Sequence, residues 1–288
     1  MPRDQGGDIG RAPAATGAGA LIDLSGAVNR RPWPVPDDTG NAPTDRLAEA
    51  AARWFGCLPS QVLAVGSPAM RLIPRLLPAG QQVARRGPTE DMAGADLAVV
   101  TNPTNPEGRE WPPEALAHLA RRVGLLVVDE SLADARPDLS LAPALPPNAI
   151  VLRSLRPLWG LRLCIVLAQH AHLARLSEAP GFRPADARAL RLGTLALADR
   201  TWAEDAILYH AEAALRLDRL AIRAGWRPVG GTHLFRLYDT GDAAAAQERL
   251  ARAHVWTRRF PSSSTWLRLG IPGSHAEWDR LSDALRKT

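Results

Sequence analysis

Five short apolar runs between residues 61 and 168, several of them rich in β-branched residues, constrain the fold of this chain more than any other feature. Each run is apolar at nearly every position instead of at alternate ones, which predicts strands that are buried on both faces. Such strands form a mostly parallel sheet sandwiched between helices, so the expected class is α/β. The predicted strands are Gln61–Val65, Leu97–Thr101, Leu125–Val128, Ala149–Leu152 and Leu163–Leu167. The predicted helices around them are Asp45–Phe55, Pro68–Leu77 and Pro113–Val123.

The pattern changes from about residue 195, where helices and strand pairs alternate in a way that predicts a smaller α+β domain. Its predicted elements are helices over Ala196–Tyr209, Ala211–Ala224, Ala243–Ala253 and Ala276–Arg286, a hairpin over Trp226–Tyr238, and strands over Val255–Phe260 and Thr265–Leu269. We therefore expect an N-terminal arm and connector over 1–44, a large domain over 45–194 and a small C-terminal domain over 195–288. The arm is expected to join the sheet of the small domain.

The composition of the chain limits the partners, metal sites and cellular location that we expect for it. The chain carries 35 Lys and Arg residues and a net charge of +5, but the basic residues are scattered among acids, which argues against a nucleic-acid partner. The two cysteines, Cys57 and Cys164, are far apart in sequence and no Cys/His cluster occurs, so we expect reduced thiols and no metal site. No signal segment and no apolar run near 18 residues is present, so a cytoplasmic protein without a membrane partner is expected. Lysine occurs once, at Lys287.

Polar residues follow three of the predicted strands directly. Gly66 and Ser67 follow the first, Asn102–Arg109 the second, and Asp129 with Glu130 the third. In parallel sheets ligands bind at the carboxyl ends of the strands, which predicts a site there. Taken singly, each residue has an ordinary interpretation: Asp129 as a helix cap or surface acid, Asn105 as a turn residue, and Arg162 or Arg268 as half of a surface ion pair.

The order and spacing of these segments resemble a family of pyridoxal-phosphate enzymes with the aminotransferase-like fold, from about residue 21 to the end. The segments that carry this resemblance are Asn102–Arg109, Leu126–Glu130, Val151–Ser154 and Trp159–Leu163. Within that family the chain is most similar to the threonine-phosphate decarboxylases of cobalamin synthesis. Further segments support this: Asp23–Ser25, Leu139–Pro143, Gly230–Leu237 and Trp266–Gly273.

The resemblance implies a large domain with the aminotransferase-like fold, pyridoxal phosphate as the cofactor, and a role for each matching residue. Asp129 matches the carboxylate that keeps the ring nitrogen protonated, and Asn105 the asparagine that donates to the ring oxygen. The phosphate is expected to bind at Gly66, Ser67, Ser154 and Arg162. The substrate-binding residues are expected to be Asn29 and Arg268, with Arg268 holding the substrate carboxylate.

One position departs from the family in a way that affects the chemistry. The lysine to which the cofactor attaches covalently lies three residues after the serine that matches Ser154, and here that residue is Pro157. Arg156 is no substitute, because a guanidinium stays protonated and is not a nucleophile. Glu90, Leu132 and Pro68 also replace residues that the family uses near the cofactor, and the segment 90–95 is too short for a complete crossover, so a sheet element is expected to be missing.

Two functional hypotheses follow. The first is a carbon–carbon lyase that converts L-threonine O-3-phosphate to aminopropanol phosphate, impaired because Pro157 replaces the catalytic lysine, so that no catalytic residue is confirmed and any bound pyridoxal phosphate is held without a covalent bond. The second is a non-catalytic descendant that binds a phosphorylated amino acid or pairs with an active relative. A poorly folding gene product stays open as a third interpretation. The resemblance also implies a homodimer, or a heterodimer with a related chain.

Overall fold

The computed structural model describes residues 20–37, 44–66, 69–71, 73, 83–85 and 92–286. They form two compact units. Unit 1 contains the described residues of Met1–Arg31, Asn105–Gly108 and Asp205–Thr288, and unit 2 those of Pro32–Thr104 and Arg109–Glu204. The change of unit thus falls between Glu204 and Asp205, and the short loop 105–108 belongs with the C-terminal part of the chain.

Unit 2 is built on a six-stranded sheet with the order β2-β7-β6-β5-β4-β3. Its strands are β2 (Val62–Val65), β3 (Val83–Arg85), β4 (Leu97–Thr101), β5 (Leu125–Asp129), β6 (Ala149–Ser154) and β7 (Cys164–Ala168). Neighbours from β3 to β6 pair in parallel, and β7 runs antiparallel to both of its neighbours. The predicted mostly parallel sheet is confirmed, and the central strands β5, β6 and β7 are buried along nearly their whole length.

Five α-helices lie wholly within the described residues of unit 2. They are α1 (Leu47–Phe55), α2 (Pro113–Ala120), α3 (Arg156–Trp159), α4 (His170–Glu178) and α5 (Ala187–Ala198). Most of the predicted helix Pro68–Leu77 lies outside the described residues. So do Ser67, Pro68 and Glu90, and the expected shortening near 90–95 stays a prediction.

Unit 1 combines a four-stranded antiparallel sheet, in the order β11-β12-β9-β8, with a separate pair of parallel strands. The sheet strands are β8 (Arg227–Thr232), β9 (Phe235–Asp239), β11 (Arg258–Phe260) and β12 (Ser263–Gly270). The pair consists of β1 (Ile22–Asp23) and β10 (Val255–Trp256), so the N-terminal arm does add a strand to this unit. The helices are α7 (Ala243–Arg252), α8 (His275–Arg286) and α6 (Arg200–Arg223), the last belonging to unit 1 from Asp205 onward.

The predicted break between two helices at residue 210 is wrong. A single helix, α6, runs for 24 residues from Arg200 to Arg223, and the break lies earlier, at Asp199. The Asp199 carboxylate accepts a hydrogen bond from the backbone N–H of Trp202 at 3.1 Å, as an N-cap does. The predicted strand Val255–Phe260 is likewise divided, since β10 pairs with β1 whereas β11 pairs with β12.

None of the described helices is long and apolar enough to span a lipid bilayer.

Candidate functional site

A cavity of about 440 Å³ opens in unit 2 where β5 and β6 end. Its size is within the usual range for small-molecule sites. The lining residues are Gly66, Ala69, Met70, Asp129, Ser131, Leu152, Ser154, Arg156, Arg162, Leu163 and Cys164. The structure therefore brings together four residues that the sequence placed at the cofactor: Gly66, Asp129, Ser154 and Arg162.

Asp129 ends β5 and presents its carboxylate to the cavity. One oxygen, Oδ1, accepts hydrogen bonds from the backbone N–H of Ser131 at 3.1 Å and from its hydroxyl at 2.5 Å. The other oxygen has no hydrogen-bond partner among the described residues. Burial raises the pKa of Asp129, while the bonds from Ser131 lower it. A protonated nitrogen placed against the free oxygen would stabilise the ionised carboxylate.

Positive charge in the same cavity comes from two arginines. Arg156 and Arg162 are both exposed, and neither forms an ion pair with a described residue. Ser154, the last residue of β6, lies next to them, and its hydroxyl accepts a hydrogen bond from the backbone N–H of Arg156 at 3.3 Å. Sequence reasoning considered Arg156 only as a failed replacement for lysine and so missed its place in the lining of the cavity. Its position two residues after Ser154 was the available signal.

The cavity also contains a thiol, that of Cys164. Burial and the nearby charge of Asp129 raise its pKa to about 12. A thiol with so high a pKa is almost entirely protonated at neutral pH and is therefore a poor nucleophile. Both cysteines are free, as expected.

Pro157 lies in the first turn of α3, where a proline fits because the missing N–H would have no partner in the helix. The next two residues, Leu158 and Trp159, are fully buried. The Trp159 ring packs edge-on against Trp54, with ring centroids 5.4 Å apart. These contacts hold α3 in place, whereas Pro157 itself is only half-buried.

A buried ionic cluster lies on β6 and the segment after β5. Arg153 donates from Nη1 to the Glu130 carboxylate at 3.2 Å and from Nη2 to Asp134 at 2.9 Å. Glu130 also accepts from the Ser140 hydroxyl at 2.6 Å and from the backbone N–H of Leu141 at 2.8 Å. Because every charged group in this cluster has several partners within the protein, its role is structural.

Unit 1 contains a second candidate site, at Arg268 on β12. This guanidinium is only 2% exposed and donates from Nη1 to the Asn105 side-chain oxygen at 2.7 Å and from Nη2 to the Ser25 carbonyl. Its Nε has no hydrogen-bond partner, and the guanidinium makes no ion pair with a carboxylate of the described chain. Burial and the charge of Arg258 lower the pKa of Arg268 to about 9, so it stays charged at neutral pH.

Glycines hold the loop that carries Asn105 against the β8–β9 hairpin. A Cβ on Gly108 would lie 2.0 Å from the Gly231 carbonyl oxygen, and one on Gly230 equally close to the Glu107 carbonyl oxygen. The Gly231 N–H donates to that same Glu107 oxygen at 2.9 Å. Only glycine permits this approach, which explains why both glycine-containing motifs are present.

The structure thus brings Asn105 and Arg268 together. Asn29 is also buried in unit 1, where its side-chain oxygen accepts a hydrogen bond from the backbone N–H of Arg31 at 2.7 Å, a local turn in the arm. The assigned roles of Asn29, Asn105 and Arg268 toward a substrate or cofactor stay predictions.

No protein-family model matches the sequence. Individual related proteins, however, do match it over most of its length. A threonine-phosphate decarboxylase from a Sinorhizobium species is 34% identical over 330 aligned positions, which cover 99% of this chain and 98% of the relative. A threonine-phosphate decarboxylase from Pseudomonas aeruginosa is 32% identical over 301 positions, covering 92% and 91%.

Among solved structures, the histidinol-phosphate aminotransferase of Sinorhizobium meliloti in complex with pyridoxal-5′-phosphate superposes with a TM-score of 0.74 at 18% identity, over 93% of this chain and 91% of that one. This likeness confirms the aminotransferase fold. The identity to both decarboxylases over nearly their full lengths goes further, and by it the chain belongs to the threonine-phosphate decarboxylase family.

Proposed function

We propose that this protein is a member of the threonine-phosphate decarboxylase family that lacks the lysine to which the cofactor attaches, that it binds pyridoxal phosphate non-covalently, and that its turnover of L-threonine O-3-phosphate is impaired. The observation that carries the proposal is Pro157, which stands in the first turn of α3 at the position expected for the lysine. The single lysine of the sequence, Lys287, lies outside the described residues.

The cavity residues fit the charges of the cofactor. Arg156, Arg162 and the Ser154 hydroxyl supply donors for a phosphate. Asp129 supplies a carboxylate with one free oxygen, which would hold a proton on the pyridine nitrogen. When bound, pyridoxal phosphate supplies an electron sink for the bond that breaks. These residues bind and orient a ligand without a nucleophilic amine.

What the described residues lack is a group that moves a proton at the substrate Cα. An amine at position 157 would supply both that group and a covalent attachment for the cofactor. Positioned proton transfer contributes about 10²- to 10⁴-fold to a rate, so we expect at least that loss relative to a lysine-containing relative. The thiol of Cys164 does not replace the amine, because it stays protonated.

The test is to restore the amine. Pro157→Lys places it on a half-buried position in the first turn of α3, where the gained N–H needs no helical partner. We expect a borohydride-reducible, one-to-one covalent adduct of pyridoxal phosphate, located by mass spectrometry at position 157. Decarboxylation of L-threonine O-3-phosphate should rise by at least about 10²-fold.

Two matched variants serve as controls. Pro157→Met removes the proline without adding an amine, and Arg156→Lys places an amine one position away; neither should form the adduct. The proposal fails if wild-type protein already forms a reducible adduct, or turns over the substrate at the rate of the Pseudomonas relative. It also fails if neither wild-type nor Pro157→Lys protein binds the cofactor.

A second candidate function is binding of a phosphorylated amino acid without turnover, by this chain alone or as a subunit beside an active relative. Arg268 favours it, because a buried guanidinium without a carboxylate partner gains stability when an anionic ligand neutralises it. Calorimetry with L-threonine O-3-phosphate in the absence of cofactor tests this function. Binding that Arg268→Met abolishes would support it, and no heat of binding would exclude it.

A further inference from the structure

Ser131, two positions after Asp129, has a side chain that lies between two strands of the candidate site. It follows the end of β5, lines the cavity and is half-buried. Its hydroxyl oxygen is 2.5 Å from Oδ1 of Asp129 and 3.1 Å from the backbone nitrogen of Ser154. Ser131 therefore contacts both the residue proposed to face the ring nitrogen and one of those proposed to bind the phosphate.

These two contacts fix the direction of the hydroxyl proton. A serine hydroxyl has one proton to donate and two lone pairs that accept. The Ser154 N–H can only donate, so it takes a lone pair of the Ser131 oxygen, and the hydroxyl proton is left for Asp129. A donor held in this direction favours the ionised form of the carboxylate.

The two oxygens of the Asp129 carboxylate are consequently unequal. Oδ1 accepts from both the hydroxyl and the backbone N–H of Ser131, whereas Oδ2 accepts no hydrogen bond from a described residue. The backbone contact alone is ordinary turn chemistry and needs no serine. The hydroxyl adds a second donor, and its hydrogen bond from β6 holds that donor in place.

Charged and titratable groups surround Asp129 on several elements. Burial, the largest influence, raises its pKa, and Arg153 on β6 lowers it. Arg153 itself is already paired with Glu130 and Asp134. Among the described residues, the other groups are the thiol of Cys164 on β7 and the guanidinium groups of Arg156 and Arg162 at the cavity, and the β4 residue paired with Asp129 is the uncharged Thr101.

We propose that Ser131 is a positioning residue for the cofactor, whose hydroxyl keeps Asp129 ionised and leaves Oδ2 free to accept from the protonated ring nitrogen. This inference rests on the proposed function, since it concerns the same cavity and the same cofactor. A carboxylate without this donor would be a stronger base and would compete with the ring nitrogen for its proton. Ser131 acts through Asp129 and needs no contact with the cofactor.

The first test is the titration of Asp129 in the cofactor-free protein, followed by nuclear magnetic resonance of ¹³C-labelled aspartate carboxyls and assigned with Asp129→Asn. Ser131→Ala keeps the backbone N–H and removes only the hydroxyl, so the midpoint should rise by about one pH unit, the value of a hydrogen bond to a charged group. Ser131→Thr retains the hydroxyl and should titrate as wild type does. Ser140→Ala is the matched control, because the Ser140 hydroxyl donates to Glu130 at 2.6 Å instead of to Asp129.

The second test is the ¹⁵N resonance of labelled pyridoxal phosphate bound to each protein. The ring nitrogen should be protonated in wild type at neutral pH, and in Ser131→Ala its resonance should move toward that of a neutral pyridine. Circular dichroism checks that each variant is folded. If Ser131→Ala does not fold, Ser131→Cys takes its place, because a thiol is a weak donor of similar size, and the midpoint should again rise, by less.

The proposal is overturned if Asp129 titrates at the same pH in Ser131→Ala and wild type. It is also overturned if Ser140→Ala shifts the midpoint equally, since the effect would then be a general one of the altered structure, or if the ring nitrogen is equally protonated in both proteins. If neither protein binds pyridoxal phosphate, the proposed function fails, whereas the carboxyl titration still decides whether Ser131 keeps Asp129 ionised.

Discussion

Two buried arginines, one in each unit, have opposite electrostatic surroundings. Arg153 in unit 2 and Arg268 in unit 1 are 3% and 2% exposed, and each lies over a phenylalanine ring, 4.5 Å from the Phe55 centroid and 5.0 Å from that of Phe235. Arg153 pairs with two carboxylates. Arg268 is held by neutral oxygens of Asn105 and Ser25.

The difference between the two surroundings motivates the two roles proposed above, a structural charge at Arg153 and a ligand-binding charge at Arg268. A buried charge that the protein neutralises has no need of a ligand, whereas a buried charge without an opposite partner is destabilising until an anion arrives. Similar burial and similar aromatic contacts therefore do not imply a similar role. The predictions below test this contrast, from the largest effect to the smallest.

The largest change in the free energy of unfolding is expected for Arg153→Met. The change leaves Glu130 and Asp134 buried without a cation, and removing one partner of a buried ion pair costs about 3–5 kcal/mol. Urea unfolding should show a loss of that size. A loss below about 1 kcal/mol would mean that the cluster is not the structural element described above.

The pH dependence of stability tests the same cluster. Burial, together with the nearby charge of Glu130, raises the pKa of Asp134 to about 6, although Arg153 lowers it. In the unfolded chain this carboxyl titrates near pH 4. The folded state therefore binds more protons between these values, and the contribution of Asp134 to the free energy of unfolding falls by about 3 kcal/mol as the pH rises from about 4 to 6.

Asp134→Asn should abolish this decrease in the free energy of unfolding between about pH 4 and 6. Asp138→Asn is the control: Asp138 is exposed and its pKa is lowered by Arg136, so its contribution has the opposite sign and is lost as the pH falls. Urea unfolding at several pH values distinguishes them. Equal slopes for wild type and Asp134→Asn would contradict the raised pKa.

Arg156 and Arg162 in the cavity extend the comparison to exposed charges that form no ion pair with a described residue. Arg156→Gln and Arg162→Gln should each weaken binding of pyridoxal phosphate about 10- to 100-fold, the value of a charge-assisted hydrogen bond to phosphate. Arg188→Gln removes an equally exposed charge outside the cavity and should change the affinity less than twofold. Fluorescence titration measures all three. If both cavity variants bound pyridoxal phosphate with unchanged affinity, the proposed phosphate site would be wrong.

The smallest change in stability is expected for Arg268→Met. It removes hydrogen bonds to Asn105 and Ser25 but also an uncompensated buried charge, so the free energy of unfolding should change by less than about 1.5 kcal/mol. Stabilisation by L-threonine O-3-phosphate in a thermal unfolding experiment should be lost at the same time. A loss of stability equal to that of Arg153→Met would break the contrast between the two arginines.

Much of the fold was predictable because strands that are buried on both faces leave a continuous apolar pattern. Leu97–Thr101 was predicted at its observed limits, and Leu125–Val128 to within one residue. The three-residue strand Val83–Arg85 was missed because so short a run carries little pattern. The helix break at Asp199 was missed because an N-cap aspartate between two helical stretches resembles any surface acid.

The candidate site was predictable in part. Gly66 and Asp129 were selected as polar-motif residues that follow strands, and Ser154 and Arg162 through the family resemblance. All four line one cavity, where the parallel pairing of β5 and β6 brings Asp129 and Ser154 to the same edge of the sheet. Arg156 was not selected, because a flexible, exposed side chain acquires its role only from the surface it faces. Nor did the sequence indicate that Asn105 and Arg268, 163 positions apart, share a hydrogen bond.

The sequence by itself determined the α/β class, the family resemblance and the absence of an amine at position 157, because these depend only on which residues occur and in what order. The tertiary structure decided which charges are neutralised. Arg153 and Arg268 are the same type of residue, and only the packing of distant segments gives Arg153 ion pairs with two carboxylates and gives Arg268 none with a described residue. Electrostatic roles depend on distance and burial, which a linear sequence does not specify.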